Sequence, residues 1–387
     1  MKNILENIYP NVIDCQGILG GIFASLLMGM RDDVPDGTAP CYNDHRRDGK
    51  RPGELCTMCG NCGGKTLKGN MWFDLANEYA FVCGDVLLQF DMSKGVNRPW
   101  KDKPEMLAPY GDLIAHMFGY AGYTYRTYEP NAGKSDVFTA IAASIDAGIP
   151  VILRYEPAYM YLLITGYDDA NMALYGHDGT GSCGFMQPAP DSHEGALFCA
   201  SNWYESMGAA YIPGGKCAPS VTFEDVIARN RAIMRPFFEE GYYDRAVDYI
   251  TDDANFKDEG GNLAVQAALI NSFVDFPIGG RSAVSWYLFK RLADGCSEYR
   301  EQFDRMSGAC CDLHEISWVA WRGAGMFEEN APEIVKRLAD PIYRKMLAGV
   351  VRLIGYKDRH IYEALCDMEK RHMHRYLSEQ DTSSWEA

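Results

Sequence analysis

The stretch from Ser135 to His177 constrains the fold of this 387-residue chain more than any other. Ser135 can cap a helix, Val137, Ile141 and Ile145 recur every four residues behind it, and Gly148 can end it. Pro150 to Tyr155 then reads as a buried strand, Met160 to Thr165 as a second and Asn171 to His177 as a third. Asp168 and Asp169 supply turn chemistry between the last two, so an antiparallel hairpin is expected there. A helix followed by such strands predicts an α+β domain built on an antiparallel sheet.

The character changes after Lys216. Ser220, Thr222 and Asp225 look like a helix start, and the chain reads as mostly helical from there. A length of 387 residues exceeds what one core usually serves, which predicts two domains, 1–218 and a helical 219–387. Asn330 to Glu333 forms a plausible capping box. Asp340 and Pro341 would begin a further helix, with Ile342, Met346, Leu347, Val350 and Ile354 along one face as core packing.

Charge narrows the partners. A net charge of −16 argues against nucleic acid or an anionic membrane surface as a partner. The longest apolar run, Gly17 to Met30, is too short to span a bilayer and reads as a buried helix. It lacks the flanks of a secretion signal, so a cytoplasmic protein is expected. In that compartment most of the thirteen cysteines should be thiols, metal ligands or a catalytic group rather than disulfides.

Cys15 lies between a polar loop and that apolar helix. The positive end of a helix dipole lowers a thiol pKa, and backbone N–H groups there can hold an oxyanion. A small buried residue at a core helix start is the simpler alternative. Residues 31–70 form an irregular insertion rich in Gly, Pro, Asp, Asn and Cys. Within it Cys56, Cys59 and Cys62 have the spacing of a metal-binding turn, and Cys41 or His45 can complete a tetrahedral zinc set, with iron–sulfur ligation or a loop of free thiols as the alternatives. A structural zinc would also hold an insertion that has little core of its own. No nucleotide cofactor is expected. His314, His372 and His374 fall in helical stretches without matching partners and read as surface or packed histidines.

Taken in order, Asp14-Cys15 before a helix, Ile145 to Val151, Leu163 to Asp168 and His177 to Gly179 resemble the double-glycine-peptidase-like branch of the papain-like superfamily. They look most like the proteins related to butirosin biosynthesis protein H. Asn202-Trp203 and Gly279-Gly280 extend the resemblance. It implies a papain-like N-terminal domain with Cys15 as nucleophile and Asp178 as the acid that orients the histidine.

Met160 stands where a peptidase of this plan carries that histidine, six residues before Gly166, and no glutamine shortly precedes Cys15. A thioether cannot accept the thiol proton, so ordinary peptide hydrolysis is not expected. A hairpin turning at Asp168 and Asp169 would set Met160 across from residue 177 or 178. His177 then either replaces the missing base or is a packed histidine, depending on register. Two functions follow. One is thiol-dependent acyl transfer, or acyl or amide hydrolysis, on a small molecule. The other is non-catalytic binding of a small molecule or peptide in the retained cleft, with Met160, Tyr161 and Trp203 as lining residues beside Tyr155 and Tyr159. The helical half offers a lid, a homo-oligomer interface or a partner surface.

Overall fold

The computed structural model describes residues 2–5, 18–31, 34, 67–89, 106–156, 160–177, 198–257, 261–281, 288–324 and 331–383. The architecture is α+β, an antiparallel sheet with flanking helices in the first half and a helical second half. Two compact units divide the chain, Met1–Cys83 with Pro104–Val221 and Gly84–Lys103 with Thr222–Ala387. The segment 84–103 therefore groups with the helical unit and not with the residues on either side of it.

The first unit holds β1 (Lys2–Ile4), α1 (Ile18–Gly29), α2 (Leu67–Cys83), α3 (Leu113–Ala121), β2 (Tyr123–Tyr128), α4 (Lys134–Asp146), β3 (Val151–Tyr155), β4 (Met160–Asp168), β5 (Ala173–His177), β6 (Phe198–Ala200) and β7 (Met207–Lys216). The strands run in the order β2-β7-β3-β4-β5-β6, with β1 paired to the far end of β4, and every pair is antiparallel. The apolar run of the sequence is α1, buried along most of its length. A Cβ on Gly20 would lie 2.6 Å from the Ala80 nitrogen and 2.7 Å from the Ala76 carbonyl, so the missing side chain lets α1 and α2 touch backbone to backbone.

Helix α4 starts at Lys134 behind Gly133, which leaves Ser135 inside its first turn and not at the cap. Its side chains Val137, Phe138, Ile141 and Ile145 pack on one sheet face with Val151, Leu153, Leu162, Ile164, Leu174 and Ala210. The strand rule of alternation assigns these residues to a single side.

The second unit holds α5 (Phe223–Glu239), α6 (Tyr242–Thr251), α7 (Asn262–Phe276), α8 (Phe289–Gly295), α9 (Arg300–Ala324), α10 (Ala331–Arg337) and α11 (Pro341–Ser383). Thr222 caps α5 in a capping box with Asp225, at the helix start expected from the sequence. Asp340 accepts from the Ile342 N–H at the head of α11. Asn330 lies outside the described residues.

One correction and one addition concern this unit. The stripe expected to pack as one face of α11 is split, with Leu347 and Ile354 buried but Ile342 and Met346 exposed. The unit also encloses an ion pair that the sequence does not announce. Arg281 ends a π-helical turn, Pro277–Arg281, and both it and Asp358 are wholly buried. Its Nε stands 2.7 Å from Asp358 Oδ1 and its Nη2 donates to Oδ2 at 2.9 Å. The same guanidinium donates to the carbonyls of Leu88 and Leu87 at 3.2 and 3.3 Å, and the Tyr243 hydroxyl donates to Asp358. Burial pulls the guanidinium pKa down, but Asp358 outweighs it and holds the charge in place.

Candidate functional site

The sheet face opposite α4 carries several of the candidate residues that the structure describes. Tyr161 and Leu163 alternate with the α4-facing Leu162 and Ile164, so they point to the other side. A chain of rings shows what covers that side. Phe23 of α1 meets Phe118 of α3 edge-on at 5.0 Å, Phe118 stacks on Tyr125 of β2 at 4.6 Å, Tyr125 meets Tyr211 of β7 at 6.2 Å, and Tyr211 meets Tyr161 at 6.5 Å. Helix α1, which begins three residues after Cys15, therefore lies over the face that carries Tyr161 and Tyr211.

Register decides the side of His177. The β4–β5 ladder pairs Asp168 with Ala173, Tyr167 with Leu174 and Gly166 with Tyr175, then shifts at a bulge and pairs Ile164 with Gly176 and Leu163 with His177. Directly opposed residues share a side. His177 consequently stands on the α1 face with Leu163, and Leu163 takes the place opposite His177 that the sequence assigned to Met160. Two features set this register: the turn spans residues 169–172, with Asp168 paired to Ala173, and the extra residue at Thr165, where β1 takes over from β3 along the edge of β4, moves His177 one step further, from Ile164 to Leu163. Gly166 is required there, since a Cβ would meet the Asn3 carbonyl at 2.7 Å.

The remaining candidates divide. Met160 opens β4 opposite Tyr155. Tyr161 is buried on the α1 face, directly across from Arg154. Trp203 is on the wrong side for a shared cleft. It is 1% exposed within the α4 core, and its indole N–H donates to the Met172 carbonyl at 3.0 Å. Cys15, Asp178 and the expected metal ligands Cys41, Cys56, Cys59 and Cys62 lie outside the described residues, as do His45 and Tyr159. Among the described residues no cluster of three or more His, Cys, Asp or Glu is placed to hold a metal, and no disulfide joins the described cysteines. His314 accepts from the Trp318 indole at 2.9 Å and is a packed histidine, while His372 faces Glu224 at the surface.

Two residues of this face were not singled out in the sequence. Arg154 donates to the Gly208 carbonyl at 3.2 Å and stands 3.3 Å from Glu156, half-buried beside Tyr161. A cation ending the apolar run Val151 to Leu153 was the available signal. Tyr211 adds a second phenol, whose pKa burial pushes up to about 12 although Arg154 pulls it down. Burial also raises the Tyr161 phenol, helped by Tyr211, so both remain neutral donors across the physiological range. His177 lies two residues along β4 and one strand over from this group, about 7 Å along the strand direction.

Comparison of the chain with protein-family models, with curated proteins and with solved structures gives no match. The chemistry must therefore be argued from the residues. The α1 face combines a histidine, two neutral phenols and a charge-compensated guanidinium. Farther along, Lys2 sits 4.7 Å over the Tyr175 ring, and Tyr175 opposes Cys199 in the β5–β6 ladder. Cys199 is thus a thiol on the same face as His177. No helix among the described residues is long and apolar enough to cross a membrane.

Proposed function

We propose that the first unit follows a papain-like plan and uses Cys15 for thiol-dependent acyl transfer or acyl hydrolysis on a small molecule, with His177 as base in place of the histidine that Met160 replaces. The observation that supports this most is that α1, starting three residues after Cys15, covers the sheet face on which His177 stands. In this reading His177 takes the Cys15 proton as sulfur attacks the acyl carbonyl. The carbon–sulfur bond of a thioester donor breaks, and the histidine returns the proton to the departing thiolate. A thioester leaves readily, so this step asks less of the base than amide cleavage does. An amine, alcohol or water then takes the acyl group from Cys15. Asp178, next in the chain, would hold the imidazole, as the resemblance implies.

The test is to incubate the full chain with an acyl N-acetylcysteamine thioester and map the acyl group by peptide mass. The adduct is expected on Cys15, and Cys15→Ala should abolish both adduct and turnover. An adduct found only on Cys199, or turnover surviving Cys15→Ala, overturns the assignment.

Arg154 beside Tyr161 and Tyr211 supports a second reading, a non-catalytic module that binds a carboxylate or carbonyl oxygen on this face. Unchanged thioester under all conditions, with ligand binding lost in Arg154→Ala, would favour it. Cys41, Cys56, Cys59 and Cys62 are proposed as ligands of a structural zinc. About one zinc per chain by elemental analysis, lost with Cys59→Ser, is the expected result. Zinc far below one per chain in protein never exposed to chelator would remove that assignment.

A further inference from the structure

Seven large apolar side chains are conspicuously exposed among the described residues, and four of them fall on one line of α11. Ile342, Met346, Leu353 and Tyr356 are 77%, 47%, 51% and 57% exposed. Gly349 completes the line, and nothing lies within 4 Å of the point its Cβ would occupy. The intervals are four, three, four and three residues, the 3.5-residue period of a seam that meets another helix. The side of α11 that holds Leu347, Val351, Ile354, Ile361 and Leu365 is buried, so its core contacts are already made. The outward seam is a separate surface.

Its width and charge select the occupant. A helix lying in a membrane interface presents a broad apolar face, whereas the exposed apolar side chains here keep to one line, with the half-buried Tyr343 and Val350 on one flank, on a chain of net charge −16. Lys345, Arg352 and Arg359 run along one side of the seam at seven-residue intervals, all exposed. The Arg359 guanidinium is steadied 4.9 Å from the Phe238 ring centre. Tyr343, Val350 and Lys357 flank the other side, with Lys357 paired to Asp312 at 2.6 Å.

A second copy of this chain fits the seam badly. In a parallel pair Arg352 would face Lys357, and in an antiparallel pair Arg352 would face its own copy and Lys345 would face Arg359. A helix with acidic flanks meets the same cations favourably and gains steering from them.

We propose that the Ile342–Tyr356 face of α11 docks an acidic amphipathic helix of a partner protein. Leu353 and Tyr356 are the anchors, Gly349 is the notch that receives a partner side chain, and Lys345, Arg352 and Arg359 form the charged rim. This surface is independent of the chemistry assigned to Cys15.

The test uses the full chain and two fluorescent helical peptides with leucines at alternating three- and four-residue spacing, one flanked by glutamates and one by lysines. The glutamate peptide is expected to bind, more weakly as salt rises. Leu353→Asp should weaken binding by about tenfold or more, as loss of a buried anchor does. Arg352→Glu should shift the preference toward the lysine peptide. Both positions are exposed, and circular dichroism checks that each variant is folded. Binding of neither peptide, or equal binding of both, overturns the proposal. So does a wild-type dimer that Leu353→Asp converts to monomer in sedimentation. Leu353-dependent binding to phosphatidylcholine–phosphatidylserine vesicles without peptide binding would overturn it in favour of lipid.

Discussion

Replacing Arg281 by methionine should be among the most damaging single changes in the helical unit, and a second mutation should partly repair it. Methionine keeps the apolar stem but leaves the Asp358 carboxyl, whose pKa burial already raises, wholly buried without its cation, with the Tyr243 hydroxyl as its remaining hydrogen-bond partner among the described residues. Removing one partner of a buried pair costs roughly 3–5 kcal/mol. The carbonyls of Leu87 and Leu88 lose their donor as well, at roughly 1–3 kcal/mol for a buried group left unsatisfied. These costs overlap, so about 5 kcal/mol is expected in total, a large share of the stability of an ordinary domain. In Arg281→Met with Asp358→Leu the stranded carboxyl is gone and only the carbonyls of Leu87 and Leu88 and the Tyr243 hydroxyl are left without these partners. The double variant should therefore be more stable than Arg281→Met alone, by roughly 2 kcal/mol.

Urea unfolding of the full chain, followed by fluorescence, gives these differences. Cys310 gives a local readout, because it is buried near this pair and burial pushes its thiol pKa up. Its native-state alkylation should be very slow in wild type, fast in Arg281→Met and intermediate in the double variant. An Arg281→Met protein within about 1 kcal/mol of wild type, or a double variant less stable than the single one, would refute the reasoning.

Three further outcomes are expected. Burial raises the phenol pKa values of Tyr79, Tyr120, Tyr161 and Tyr211, the last to about 12. The folded state thus keeps these protons longer than the unfolded chain. The associated stability is complete below about pH 10 and lost as pH rises through the folded values, so the urea midpoint should fall between about pH 10 and pH 12. A flat midpoint over that interval would contradict it. Gly20→Ala drives a methyl into the backbone of Ala76 and Ala80 and should destabilise by about 1–3 kcal/mol, read as a lower melting temperature. Thr222→Ala removes the acceptor for the Asp225 N–H and should cost about 1 kcal/mol, with little further loss when Asp225→Ala is added, because both belong to one capping box.

The elements that were legible in the sequence are those whose own periodicity meets a core. Helix α4, the strands β3 to β5 and the Thr222 cap belong to that class. The register of β5 was not legible, because the bulge at Thr165 arises where β1, more than 160 residues earlier, replaces β3 as the neighbour of β4. The turn spans residues 169–172, which carries His177 away from Met160, and the one added residue then moves it from a place opposite Ile164 to one opposite Leu163, and so to the other side of the sheet. Trp203 read as a cleft residue because its position in the chain resembles one, whereas its burial depends on α4 packing from the other side. On α11 two apolar lines overlap in sequence, and spacing alone cannot tell which faces the core. Only the packed helices distinguish Leu347 and Ile354 from Ile342 and Met346. The hold of Arg281 on Leu87 and Leu88 joins positions 193 and 194 residues apart, beyond any local pattern.

The pH profile of Cys15 alkylation tests the central claim most directly. It is measured by peptide mass in a Cys199→Ser background, so that the Cys199 thiol cannot contribute. A thiol activated by His177 should alkylate with an inflection well below the ordinary thiol value of about 8.5, and His177→Gln should move that inflection up by at least about one unit. An inflection near the ordinary value, or one unmoved by His177→Gln, would mean that the histidine on the α1 face does not serve Cys15.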